Sequence, residues 1–160
     1  MPSKLWVIGL YLGDGSQGFV FDERKDRGEG LFYIKPFFYF VNQKANEANI
    51  YLLTLIAKSL NIKPRIHKSG ESVVLGYSGK FVFDTILPFL SEHSDWLYWR
   101  RSQFETAKSV SEIYKNNREI TKQGYKEIVE ILYSVPNNYT KPKEYWLYLI
   151  EKRAWKKTSL

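Results

Sequence analysis

The stretch at 31–41, Leu-Phe-Tyr-Ile-Lys-Pro-Phe-Phe-Tyr-Phe-Val, is dense enough in aromatic and β-branched residues to read as a long strand. A shorter run of the same character, Gly-Phe-Val-Phe at 18–21, precedes it, and the charged residues 22–30 between them include two glycines. Together they predict a long hairpin. Pro36 cannot donate to a sheet ladder, which predicts an edge position or a bulge for the second strand. A chain of 160 residues built around such a hairpin is expected to form a single domain over 1–160.

The remaining elements follow from periodicity. Residues 4–14 predict a helix ended by Gly15 as a left-handed cap. Leu52, Leu53, Ile56, Ala57 and Leu60 recur at three- and four-residue spacing, predicting a helix over 46–60. A second hairpin is expected from 64–67, a turn at 68–71 and a strand at 72–77. A short helix is expected over 79–90. A long helix is predicted over 95–114, with Trp96, Trp99, Gln103, Ala107, Val110 and Tyr114 along one stripe. Thr121 is the expected N-cap of a further helix carrying Tyr125, Ile128, Val129 and Leu132, and residues 144–155 predict a last one. The order is α-β-β-α-β-β-α followed by more helices, an α+β arrangement with antiparallel strands.

Absences narrow the chemistry. No cysteine is present, which removes disulfide scaffolds, zinc fingers, iron–sulfur sites and cysteine nucleophiles. His67 and His93 are the only histidines, so any metal is expected to be a hard cation held by oxygen ligands. There is no apolar run long enough to span a bilayer and no secretory h-region at the start, so an intracellular protein with no membrane partner is expected.

Charge points the other way, toward a polyanion. Lysine and arginine number 24 against 17 acids, a formal net charge of +7 and a pI near 9.4. Residues 141–160 hold Lys141, Lys143, Lys152, Arg153, Lys156 and Lys157 against only Glu144 and Glu151, and 63–68 adds Lys63, Arg65 and Lys68. Such clustering is the footprint of phosphate-backbone binding, with a solvated basic surface as the plainer alternative. The five tryptophans are expected to pack in the core.

The first helix carries the chemistry. Gly9 and Gly13 are one turn apart and share a face that allows close helix–helix approach. Asp14 then falls at the helix C-terminus, where the macrodipole disfavours a carboxylate and a nearby cation would resolve the conflict. On its own, Gly13-Asp14-Gly15 is also a common turn.

The segment Ile8-Gly-Leu-Tyr-Leu-Gly-Asp14-Gly15 resembles the signature motif of the LAGLIDADG homing endonucleases, with Leu12 at its variable penultimate acidic position. The resemblance covers most of the chain. A long hairpin follows the motif, then Phe40-Val-Asn-Gln43-Lys44 leading into a helix, a second hairpin, and Leu87-Pro-Phe-Leu90 before the next helix. It implies an αββαββα core with an antiparallel DNA-binding sheet plus C-terminal helices. It also implies a Mg²⁺-dependent, site-specific double-strand DNA endonuclease encoded within an intron, with Mn²⁺ or Ca²⁺ as alternative occupants of the metal site. Asp14 matches the metal-binding acid, and Gly13 would add its carbonyl. Gln43 matches a position that organises the active-site water, and Arg100 and Arg101 are the candidates for the catalytic basic residue. Glu47 stands near where some members carry a basic residue.

Only one such motif is present, so the expected enzyme is a homodimer packed through Gly9 and Gly13, with both copies of Asp14 near the twofold axis. A strand of about ten residues spans roughly 33 Å, or about ten base pairs, so two copies would cover about twenty. Candidate DNA contacts are Gln17, Arg24, Arg27, Tyr33, Lys35 and Tyr39 on the first hairpin and Arg65 and His67 on the second, with Ile66 toward the core. Lys152, Arg153, Lys156 and Lys157 would meet phosphates. The aromatics at 37–40 are expected in the core more than on DNA, and His93 is expected to cap or pack. An intron-RNA-binding maturase and a catalytically inactive DNA-binding protein are the competing functions on the same scaffold.

Overall fold

A computed structural model describes residues 1–27, 31–116 and 121–155, without the side chain of Lys25. Helix α1 spans Lys4–Asp14, followed by β1 (Ser16–Glu23), β2 (Phe32–Lys44), α2 (Glu47–Ser59), β3 (Ile66–Ser69), β4 (Ser72–Ser78), α3 (Leu87–Ser91), α4 (Arg101–Asn116), α5 (Lys122–Tyr133) and α6 (Lys143–Lys152). The four strands form one sheet in the order β1-β2-β4-β3. Strand β4 pairs antiparallel with both β2 and β3. The αββαββα order and the C-terminal helices are as the sequence predicts.

The residues divide into two compact units, one of Met1–Phe19 with Lys35–Phe104 and the other of Val20–Ile34 with Glu105–Leu160. In the first, the Ser3 side chain caps α1 by accepting from the Trp6 amide at 3.2 Å, and Asn46 caps α2 by accepting from Asn49 at 2.8 Å. Buried Val7, Ile8 and Tyr11 lie on one side of α1, and Tyr11 packs 4.6 Å from Phe38 of β2. Along β2, Phe38, Phe40 and Val41 are buried, while Lys35, Phe37 and Tyr39 face the opposite side. The aromatics at 37–40 are therefore split: Phe38 and Phe40 are core, and Phe37 and Tyr39 are not. Strand alternation is the reason.

The second unit has an aromatic core. Phe21 stacks on Trp146 at 4.4 Å, Phe32 lies 5.1 Å from Trp146, and Tyr125 meets Phe32 edge-on at 5.6 Å. The Tyr114 hydroxyl donates to the Ile34 carbonyl at 2.6 Å. Thr121 caps α5 as predicted, accepting from the Gly124 amide at 3.0 Å.

Four expectations are corrected. Gly15 is not a left-handed cap, since its φ of −76° and ψ of 166° are extended. Glycine is needed there for space: a Cβ would lie 2.4 Å from Tyr11 Cδ2 and 2.8 Å from the Tyr39 carbonyl oxygen. Pro36 is not on an edge strand, because β2 has neighbours on both sides, but β2 does carry the bulge expected as the alternative, between Tyr39 and Val41. The Pro36 carbonyl accepts from Gly79 just past the end of β4, where Gly79 turns the chain away at a φ of 68°. A strand residue's N–H and C=O point the same way, so the missing donor faces the place where the ladder stops. The helix predicted over 95–114 begins only at Arg101, after single 3₁₀ turns at Ser94–Trp96 and Tyr98–Arg100. Tyr98, at a φ of 37°, breaks the helical path between them. Finally, Trp6, Trp96 and Trp99 are exposed, and Trp146 is the tryptophan buried in the core.

Candidate active site

The C-terminal end of α1 gathers the chemistry-bearing groups. Asp14 is exposed in its last turn, and Gly9 and Gly13 are exposed with nothing within 4 Å of where a Cβ would stand. With Leu5 and Trp6 they form one face of α1, opposite Val7, Ile8 and Tyr11.

Arg100 reaches this helix end from its own 3₁₀ turn. Its Nη2 donates to the Gly15 carbonyl and its guanidinium lies 5.1 Å from the centre of the Tyr11 ring. The cation thus stands at the negative end of the helix macrodipole. Burial pushes the Tyr11 hydroxyl well above the ordinary tyrosine range, against a smaller opposing pull from Arg100. Arg101 goes elsewhere, toward Asp95 at 3.6 Å. Of the two arginines the sequence left open, the fold brings Arg100 to α1 and turns Arg101 away.

Gln43 reaches the helix side of the sheet through a bulge. The β2–β4 register slips between Tyr39 and Val41, so Phe40 is an extra residue. Without it, Gln43 would share a face with Lys35 and Tyr39. With it, Gln43 lies opposite Val73 in phase with buried Val41, on the side that α1 covers.

The Asp14 carboxylate and the Gly13 carbonyl are hard oxygen donors at a helix end whose last carbonyls lack intrahelical partners; the Tyr11 carbonyl is taken by the Gly15 amide at 2.9 Å. That donor chemistry fits a hard divalent cation. Among the described residues no group of three or more His, Cys, Asp or Glu side chains is placed to hold a metal.

The other face of the sheet carries some of the predicted DNA contacts. The Tyr39 ring lies over Gly76, where a Cβ would come within 2.4 Å of it, and Phe37 packs 5.2 Å from Tyr39. His67 stands beside them, its Nε2 3.2 Å from the Gly76 carbonyl. That carbonyl can only accept, so in this contact His67 donates from Nε2. Lys35 shares this face, and Tyr33 alternates with buried Phe32 and Ile34.

Other candidates lie elsewhere. Gln17 is on the opposite face to Gly18, whose Cα abuts the Phe37 ring, and its Nε2 is buried without a hydrogen-bond partner, a correction that strand alternation explains. Arg65 is exposed, with its guanidinium 5.3 Å from the Phe81 ring and 6.0 Å from Tyr77. Arg24 is paired with Asp22 at 2.9 Å, and exposed Arg27 lies 3.8 Å from Asp26. The Lys152 ammonium lies 5.5 Å from the Tyr148 ring. Arg153 is held 4.3 Å from Trp155 and 5.0 Å from Tyr125, and it donates to the Phe32 carbonyl at 3.3 Å. His93 packs 5.1 Å from Phe89. Lys156 and Lys157 fall outside the described residues.

Compared with solved structures, the chain aligns over nearly its full length with I-Vdi141I, an archaeal intron-encoded homing endonuclease complexed with DNA. The TM-score is 0.77 at 20% identity, covering 93% of this chain and 94% of that one. The fold is that of the LAGLIDADG homing endonucleases. The homing endonuclease I-CvuI, solved on the I-CreI target with magnesium and the DNA uncleaved, gives 0.73 at 15% identity over 93% of this chain and 92% of that one. The meganuclease I-SmaMI, bound to uncleaveable DNA, gives 0.68 at 17% identity, and there 86% of this chain matches 46% of that one. On the homing-endonuclease fold, this chain thus corresponds to about half of the longer enzyme. No protein-family model and no curated protein matches the chain by sequence.

Proposed function

We propose that this chain is an intracellular, site-specific double-strand DNA endonuclease that works as a homodimer with a divalent cation. The observation that carries the reading is Asp14, exposed at the end of a helix whose outward face is opened by Gly9 and Gly13, on the homing-endonuclease fold. The match to about half of I-SmaMI supports two copies per active unit. Packing α1 on its twofold mate through the glycine face would bring two Asp14 carboxylates to adjacent scissile phosphates.

Phosphodiester hydrolysis needs an activated water and neutralisation of a transition state with extra negative charge. Asp14 and the Gly13 carbonyl would hold Mg²⁺, with Mn²⁺ or Ca²⁺ as substitutes. When bound, the ion supplies Lewis acidity and lowers the pKa of water. Gln43, on the α1 side of the sheet, hydrogen-bonds and orients the attacking water. Arg100, held by the Gly15 carbonyl and the Tyr11 ring, offsets charge that develops at the phosphate. Lys35, Tyr39 and His67 share the open face of the sheet and meet the major groove, the side on which bases are fully distinguishable.

The test is incubation of a plasmid bearing the intron-less insertion site of the encoding gene with Mg²⁺ or with EDTA. Linearisation at one position, seen only with metal, is the expected result. Binding to the intron transcript with no cleavage of the plasmid would overturn the nuclease reading in favour of a maturase.

A further inference from the structure

The segment between α3 and α4 presents three large aromatic side chains to solvent. Trp96 is 49% exposed, Tyr98 60% and Trp99 71%, while Leu97 between them is fully buried and anchors the segment. This is not a loose loop. The amides of Trp96, Leu97 and Arg100 bond to the carbonyls of His93, Ser94 and Leu97 at 3.0, 3.1 and 2.7 Å. Tyr98 stacks on Trp99 at 6.2 Å and meets Trp96 edge-on at 6.5 Å. The left-handed backbone at Tyr98, unfavourable for a bulky residue, holds the rings in this arrangement. A fixed, exposed aromatic cluster marks a surface that is covered in use.

Its position names the occupant. Glu92, just before the segment, lies 3.7 Å from Lys4 in the first turn of α1, and Arg100, at its end, binds the last turn through Tyr11 and Gly15. The segment therefore runs the length of α1, whose own outward face carries Leu5 and Trp6, 49% and 43% exposed, with Gly9 and Gly13. DNA is a poor match for the rings. Residues 92–101 carry Glu92 and Asp95 against Arg100 and Arg101, a formally neutral stretch in which Arg101 lies 3.6 Å from Asp95, whereas a surface that binds the phosphate backbone carries excess positive charge.

We infer that Trp96, Tyr98 and Trp99 pack against a second copy of this chain, flanking the α1–α1 contact. The inference rests on the homodimer reading above and deepens it. Area supports it: a stable interface needs about 800 Å² per partner, and an eleven-residue helix is only about 16 Å long. The exposed parts of the three rings add roughly 300–450 Å² per protomer. Locked aromatic contacts beside the twofold axis would fix the angle between the two α1 helices, and with it the spacing of the two Asp14 carboxylates.

The test is sedimentation equilibrium of the full chain without DNA, supported by tryptophan emission on dilution. The wild type is expected to dimerise, with emission shifting red as dilution exposes the rings. The double variant Trp96→Ser/Trp99→Ser should raise the dimer dissociation constant by about 30-fold or more with an unchanged melting profile, and Trp99→Phe should restore most of the affinity. A double variant that dimerises as tightly as the wild type overturns the inference and leaves the homodimer standing. Intact dimerisation with lost binding to a random-sequence duplex also overturns it, by assigning the rings to DNA. A wild type that stays monomeric, with Gly9→Leu equally silent, would bring down the homodimer reading itself.

Discussion

Arg100 and Gly15 are 85 residues apart in sequence, yet the guanidinium of one donates to the carbonyl of the other at the end of α1. The contact selects between adjacent arginines. Arg100→Ala should slow cleavage by about 100-fold or more, whereas Arg101→Ala, removing a side chain 3.6 Å from exposed Asp95, should leave the rate within about threefold. Single-turnover cleavage rates at saturating protein separate the two. Equal losses in both variants would remove Arg100 from its assigned role.

Asp14→Asn keeps the shape of the helix end and removes the charge that would hold the cation. Cleavage should become undetectable while gel-shift affinity for the same duplex stays within a few-fold. Full activity in this variant would contradict the assignment of Asp14.

The glycines of α1 should separate by experiment. Gly15→Ala would place a methyl against Tyr11 and the Tyr39 carbonyl, two parts of the core that cannot easily give way. A loss of about 1–3 kcal/mol or more in urea unfolding is expected. Gly9→Ala meets open space in the single chain and gains helix propensity, so the fold should hold or stiffen by up to about 1 kcal/mol while dimerisation weakens.

Tyr77 links stability to alkaline pH. Its hydroxyl donates to the Lys63 carbonyl at 2.8 Å, and burial raises its pKa to about 12. A raised pKa means the folded state retains the proton that the unfolded chain releases near pH 10. The contribution is therefore complete below about pH 10 and lost as the pH climbs toward 12. Tyr77→Phe should cost about 1 kcal/mol at neutral pH and show a shallower fall in stability between pH 10 and 12, read by denaturant melts across that range.

The order of elements was legible in the sequence because it rests on local periodicity. The end of α1 at Asp14, the N-cap of α5 at Thr121 and the strands around the hairpins needed only spacing and composition. The glycine face of α1 was legible for the same reason. Side-chain direction was less so wherever one residue shifts the phase. Gln43 faces the α1 side only because Phe40 bulges, and Gln17 turns its Nε2 inward because its neighbour Gly18 takes the Phe37 side. Replacing six residues of predicted helix with 3₁₀ turns left Trp96 and Trp99 in solvent and sent Arg100 and Arg101 in different directions.

Sequence alone therefore determined which residues could do the chemistry: one carboxylate at a helix end, two glycines a turn apart, and no cysteine or histidine set to compete. Tertiary structure decided which arginine reaches the end of that helix, which face of the sheet is open and which aromatics remain uncovered. Spacing along a chain reports only its local repeat, whereas the contacts that set a bulge or the start of a helix come from residues far away in sequence.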